Sequence, residues 1–127
     1  MIYGIGTDLI EIPRVRRVLD RFGERFAQRI LCEPELRRYR VHRQPVAYLA
    51  KRFAAKEAFT KALGTGIHAP ANWHGVWVGN LRSGKPVLEF SAPLSALMKT
   101  RGVGVAHVSL TDEKAFAMAT VILECAA

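Results

Sequence analysis

A chain of 127 residues, half of them hydrophobic, holds enough apolar side chain for one domain with a modest core and is too short for a second independent one. No apolar stretch reaches the roughly 18 to 20 residues of a membrane span, and the opening MIYGIGTDLI has neither a basic n-region nor a cleavage site. The expectation is a cytoplasmic protein without a membrane partner. The formal net charge of +8 is uneven: residues 1–61 carry 14 of the 19 Lys and Arg and 7 of the 11 acids, which is +7, and the remainder carries +1. A one-sided basic surface attracts nucleic acid, anionic membrane, acidic protein or phosphorylated small molecules, and charge alone does not choose among them. Cys32 and Cys125 have no metal-like spacing and no paired framework, so two free thiols in a reducing compartment are expected.

In chain order, MIYGIGTDLI reads as a short strand. Gly4 and Gly6 suggest a backbone that approaches something closely at its end, with Asp8 at its mouth. Pro13 suits the first turn of a helix, in which Val15, Val18, Leu19, Phe22 and Phe26 form an apolar stripe and Arg14, Arg17, Arg21 and Arg25 the opposite one. Gly23 weakens continuity there, residues 28–32 read as an irregular join, and Pro34 opens a short helix. The clearest helix spans residues 45–63, from Pro45 through Val46, Leu49, Ala50, Phe53 and Ala54 to Leu63, with Gly64 just past its end. GTGIHAPANWHG is loop-like, and GVWVGN and PVLEF flank a turn at RSGK as a hairpin. An amphipathic helix over residues 92–100 precedes VGVAHVSL and FAMATVILE, two strands joined by a turn at TDEK. The expected fold class is α+β: one domain over residues 1–127, with an N-terminal strand, a helical first half built on one long central helix, and a mainly antiparallel β second half.

The densest chemistry lies in RFAAKEAFTKALGTG, residues 52–66. Glu57 and Lys61 are four residues apart on one helical face, with Phe53 one turn earlier, which sets the carboxylate beside an apolar wall. Alone, that is also what an ordinary surface Glu to Lys pair looks like, and Asp8 after GxGT also suits a turn or cap. Together, Asp8 and Glu57 could supply the protein side of a magnesium site, because magnesium commonly takes one or two carboxylates, keeps waters and completes its shell with substrate phosphate. Lys61, Arg52 and Lys85 are candidate phosphate binders, the last in SGKP, which lacks the spacing of a P-loop. His107 alternates with apolar residues and could face a cleft, whereas His42, His68 and His74 form no metal-ligand pattern.

Three segments resemble one family, the holo-acyl-carrier-protein synthases of the 4'-phosphopantetheinyl transferase superfamily: GIGTDLIEIPRV, RFAAKEAFTKALGTG, and GKPVLEF with AHVSLTDE. The resemblance spans nearly the whole chain and implies a 4'-phosphopantetheinyl transferase-like fold. It implies an enzyme that moves the phosphopantetheine arm of coenzyme A to a serine of apo acyl carrier protein, in support of fatty acid biosynthesis, leaving adenosine 3',5'-bisphosphate. Carried over residue by residue, Asp8 and Glu57 are similar to its magnesium ligands and Lys61 to the lysine that neutralises the diphosphate. The proton acceptor stays open between Glu57 and a water on the metal. Arg52, Gly84, Lys85, His107 and Ser109 resemble positions around the adenosine and its 3'-phosphate, and Arg14, Arg21 and Arg25 resemble the surface that meets the acidic carrier protein. The resemblance also implies a homotrimer with sites between subunits. Phe53 stands where the wider superfamily has tryptophan, as in the carrier-protein-synthase branch, and Thr111 follows HVSL where serine is common. The alternative from another class is a small basic nucleic-acid-binding protein, disfavoured by the lack of any such signature and by carboxylates at Asp8 and Glu57 that it leaves unused.

Overall fold

The computed structural model of the chain describes residues 1–127. Its first strand, β1 (Ile2–Glu11), is ten residues long rather than short. Alternation continues past Asp8, with Ile5, Thr7 and Leu9 on one face and Gly6, Asp8 and Ile10 on the other, so the strand keeps pairing as far as Glu11 opposite Phe116. Asp8 is therefore a mid-strand residue opposite Ala119 and not one at a strand end.

Helix α1 (Ile12–Phe22) follows, with Pro13 in its first turn. The expected single helix through Phe26 is two. Gly23 takes φ +67, a conformation that favours glycine, and α2 (Glu24–Ile30) starts again beyond it. The irregular join shrinks to Leu31 and Cys32 before α3 (Glu33–Val41). Helix α4 (Pro45–Leu63) has the expected limits, because Pro45 sits in the first turn and Gly64 closes the helix in the left-handed region at φ 89 and ψ 17. After a loop come the hairpin β2 (Val76–Asn80) and β3 (Pro86–Phe90), then α5 (Ala92–Thr100), whose Leu94 amide donates to the capping Ser91 Oγ. Strand β4 (Val103–Glu113) runs through Thr111, Asp112 and Glu113, so the turn expected at TDEK falls at Lys114 (φ 49) and Ala115 before β5 (Phe116–Cys125).

The strands form an antiparallel three-stranded sheet in the order β1-β5-β4 and a separate antiparallel hairpin. The fold is α+β, and no helix is long and apolar enough to cross a membrane. Helix α4 lies on the sheet and is buried on most sides, so it contributes to both apolar clusters. Ala54, Ala58, Phe59 and Ala62 join the sheet, the hairpin and α5, while Leu49 and Ala50 join α1, α2 and α3.

The close approach signalled by Gly4 and Gly6 is to α4 itself. A Cβ on Gly4 would lie 2.0 Å from the carbonyl oxygen of Ala62, and one on Gly6 would lie 2.0 Å from that of Ala58 and 2.8 Å from the Ala62 amide nitrogen. Backbone cannot yield as a flexible side chain would, so β1 and α4 fit together only with hydrogen at both positions. Gly6→Ala is expected to lower unfolding stability by about 3 kcal/mol, measured by urea denaturation, because overpacked sites cost roughly that much when the neighbour is rigid. A loss within 0.5 kcal/mol of zero, roughly the level of an ordinary surface substitution, would mean that the strand and helix move apart easily.

Candidate active site

Because β1 lies against α4, Asp8 comes to the helical face that carries Glu57 and Lys61. Lys61 Nζ donates to Asp8 Oδ1 at 3.2 Å and to the Thr7 carbonyl at 3.0 Å. The Asp8 side chain is only 17% exposed, while that of Lys61 is 53% exposed and keeps its ammonium available to solvent. Glu57, one turn before Lys61, holds its proton more tightly than an ordinary glutamate. Burial is the largest cause and the negative Asp8 the next, with Lys61 opposing both. Asp8 and Glu57 line one cleft of about 330 Å³, walled by Phe26 and Phe53 and edged by Arg14.

Two crowded carboxylates beside one ammonium have an unmet demand for positive charge. Nowhere do three or more His, Cys, Asp or Glu come together, so the cleft offers two hard oxygen ligands without imidazole or thiolate. That donor set fits a magnesium ion that keeps waters and takes substrate phosphate, and does not fit a zinc site closed by nitrogen and sulfur.

Arg52 lies on another face of α4, away from this cleft, and is 5% exposed. Its guanidinium stacks 4.0 Å from the Tyr48 ring centroid and reaches Asn80 Oδ1 at 3.4 Å, and Arg38 Nη1 donates to the same oxygen at 2.8 Å. Burial lowers the proton affinity of Arg52. Arg52 Nε and Tyr48 Oη are buried without a hydrogen-bond partner. Both residues line a pocket of about 510 Å³ that also takes in Arg38, His42, Arg43 and Asn80. Orphaned donors among three guanidinium groups make this a place for an anion. Asn80 also donates through Nδ2 to the Gly84 carbonyl at 3.0 Å, which ties the Gly84 and Lys85 turn to the same pocket. Sequence reasoning missed Arg38, Tyr48 and Asn80. Only the position of Asn80, two residues before the RSGK turn, could have pointed to one of them.

His107 and Ser109 stand apart from both places. They project from the exposed side of β4, and β5 lies between β4 and β1, so within one chain they do not join Asp8. His107 Nε2 is 2.5 Å from Glu124 Oε2 on that outer side, and the hydrogen bond lowers the proton affinity of Glu124. The arginine stripe divides at Gly23: Arg14, Arg17 and Arg21 lie on α1, and Arg25 on α2. Arg21 packs its guanidinium 5.2 Å from the Phe22 ring centroid. Arg25 and Arg29 edge a second, mostly apolar cleft of about 500 Å³ that shares Val18, Phe26 and Phe53 with the first. The Cys32 thiol is pushed up to about 11, mainly by burial, which makes it unreactive at neutral pH.

Residues 4–121 match the 4'-phosphopantetheinyl transferase superfamily. A holo-acyl-carrier-protein synthase of Azoarcus sp. (strain BH72) is 49% identical over 124 residues, covering 98% of this chain and 98% of that protein. The crystal structure of a holo-acyl-carrier-protein synthase from Neisseria meningitidis superposes with a TM-score of 0.95 at 42% identity, covering 98% of this chain and 99% of that one. A Bacillus anthracis holo-acyl-carrier-protein synthase in complex with CoA (3',5'-ADP) gives a TM-score of 0.84 at 37% identity over 99% of each chain.

The raised proton affinity of Glu57 has a sign that can be checked in metal-free protein. A folded-state pKa above the unfolded one adds stability that is fully present below the unfolded value and lost as pH rises through the folded one. Glu57→Gln, which removes the charge, is therefore expected to raise Tm at pH 7 to 8 and to leave it unchanged at pH 4. A lower Tm at pH 7 would mean that the carboxylate is stabilised where it stands.

Proposed function

The chain belongs to the 4'-phosphopantetheinyl transferase superfamily, and we propose that it is a magnesium-dependent holo-acyl-carrier-protein synthase working in the cytoplasm in support of fatty acid biosynthesis. Its donor is coenzyme A and its acceptor the serine of an apo acyl carrier protein. The observation that carries this reading is that Asp8 and Glu57 share one cleft while Lys61 holds the Asp8 carboxylate at its edge. The serine oxygen attacks the phosphorus that bears the pantetheine arm, the diphosphate P–O bond on the adenosine side breaks, and adenosine 3',5'-bisphosphate leaves. Asp8 and Glu57 would hold magnesium, which when bound neutralises the negative charge of the diphosphate.

The other tasks fall to side chains. Lys61 turns its exposed ammonium from Asp8 to the phosphate oxygens. Glu57 lines the cleft, where a carboxylate can take the serine proton. The Arg38, Arg43 and Arg52 pocket and the neighbouring Gly84 and Lys85 turn suit the phosphate groups at the adenosine end, and the CoA (3',5'-ADP) complex of the Bacillus anthracis relative supports such a ligand. Arg14, Arg21 and Arg25 meet the acidic carrier, chiefly speeding encounter and setting register, so docking weakens with salt.

Assembly completes the site. The outer face of the β1-β5-β4 sheet exposes Ile5 and Leu9 at 62%, Val105 at 56%, Phe116 at 48% and Met118 at 38%. An apolar sheet face of this kind calls for a protein partner, and His107 and Ser109 lie on it. Copies that share this face, as the homotrimer of the family resemblance, would bring His107 and Ser109 to sites between subunits.

The decisive experiment is the intact mass of an apo acyl carrier protein incubated with this protein, coenzyme A and magnesium. One added phosphopantetheine is expected, none with a chelator, and on the order of 100-fold slower addition by Asp8→Ala. No addition to any of several carrier proteins would refute the reading. Light scattering tests assembly: Met118→Lys is expected to turn trimers into single chains with weakened transfer, and a parent that is active as a single chain would refute shared sites.

A further inference from the structure

Lys56, between two site residues in sequence, faces away from the cleft and is 0% exposed. Its ammonium has three oxygen acceptors in three segments, the Ile30 carbonyl of α2 at 2.6 Å, Glu35 Oε1 of α3 at 2.7 Å and the Trp73 carbonyl of the loop after α4 at 2.7 Å, with Cys32 Sγ farther off at 4.0 Å. An ammonium has three protons, so its donor capacity is filled. Glu35, itself 1% exposed, uses its other capacity on the amides of Cys32 and Val78, both at 2.9 Å. Two of these grips converge on one aromatic ring. The Trp73 ring lies 4.9 Å from that of Phe53, and Phe26, on the helix whose last carbonyl Lys56 holds, has its ring 6.4 Å from the same Phe53 ring. Phe53 is the wall shared by the two clefts, one turn before Glu57.

We infer that Lys56 is a positioning residue of the transfer reaction: by fixing Trp73 and α2 it clamps the Phe53 wall and so the cleft in which the serine hydroxyl meets the diphosphate. The inference rests on the transferase reading. Rigidity at this wall bears on alignment, and misplacement by about 1 Å can cost on the order of 100-fold in rate. A clamp that acts on alignment lowers kcat far more than it weakens coenzyme A binding.

The test separates the clamp from the stability of the fold. Lys56→Met, made in a Trp77→Phe background so that Trp73 is the sole tryptophan, is expected to red-shift Trp73 emission and lower kcat at least tenfold, with KM for coenzyme A within twofold of the parent. Trp73→Ala, which keeps the carbonyl that Lys56 holds and removes the stack, is expected to reproduce the loss of kcat, and Trp73→Phe to recover it to within threefold. Should Lys56→Met fail to fold, the Trp73 pair decides. Unchanged kcat in Trp73→Ala, or in a folded Lys56→Met, overturns the inference while leaving the transferase reading intact. A parent without transfer activity overturns both.

Discussion

The interior of this protein is organised around one ammonium ion that water does not reach. An unpaired charge in such a place would cost many kcal/mol, and removing one partner of a buried pair typically costs about 3 to 5 kcal/mol. The Lys56 to Glu35 pair is tolerated because each atom that can hydrogen-bond does so, to the ends of α2 and α3, to the loop after α4 and to β2. A buried pair of this kind is weak evidence of net stability compared with a well-packed apolar substitute. Its directional demands favour specificity, because this arrangement of the four segments satisfies all the donors and acceptors at once. The aliphatic cores on either side of α4 fill the space that this arrangement defines.

A second constraint is steric. The absence of side chains at Gly4 and Gly6 lets β1 come down onto α4 until backbone meets backbone. With the strand at that distance, Asp8 meets Lys61 and stands within electrostatic reach of Glu57. Chemistry thus follows from two opposite devices, a charge-dense hub on one side of α4 and a pair of bare backbone positions on the other. Neither contributes an atom to the reaction. The clefts lie where the two meet.

Much of this was legible in the sequence wherever the cause was local. Pro45 and Gly64 mark both ends of α4, and the hairpin and α5 are marked by their own turn and cap residues. Glu57 and Lys61 share a face by spacing alone. Gly4 and Gly6 announced a close approach but not its object, since the Ala58 and Ala62 carbonyls are more than fifty residues away. Asp8 was read too near the end of its strand because strand length was set by pairing with β5, which no local pattern reports. Lys56 looked like a member of the Lys56, Glu57 and Lys61 group, yet adjacent helical residues point about 100° apart and its partners come from three other segments. The anion pocket was hidden for the same reason, with Arg38, Tyr48, Arg52 and Asn80 drawn from α3, α4 and β2. Gly23 marks a weak point in the helical pattern, and its positive φ makes that point a boundary.

The fit of β1 to α4 also bears on how the molecule opens. A strand at the edge of a sheet ordinarily frays before its neighbours. Here β1 is an edge strand in hydrogen bonding but an inner layer in packing, with α4 seated directly on Gly4 and Gly6. The amides that β1 donates to β5 should exchange with solvent only when β1 parts from both β5 and α4, which amounts to loss of the whole core. The two carboxylates, Asp8 on β1 and Glu57 on α4, thus keep one separation until the protein unfolds.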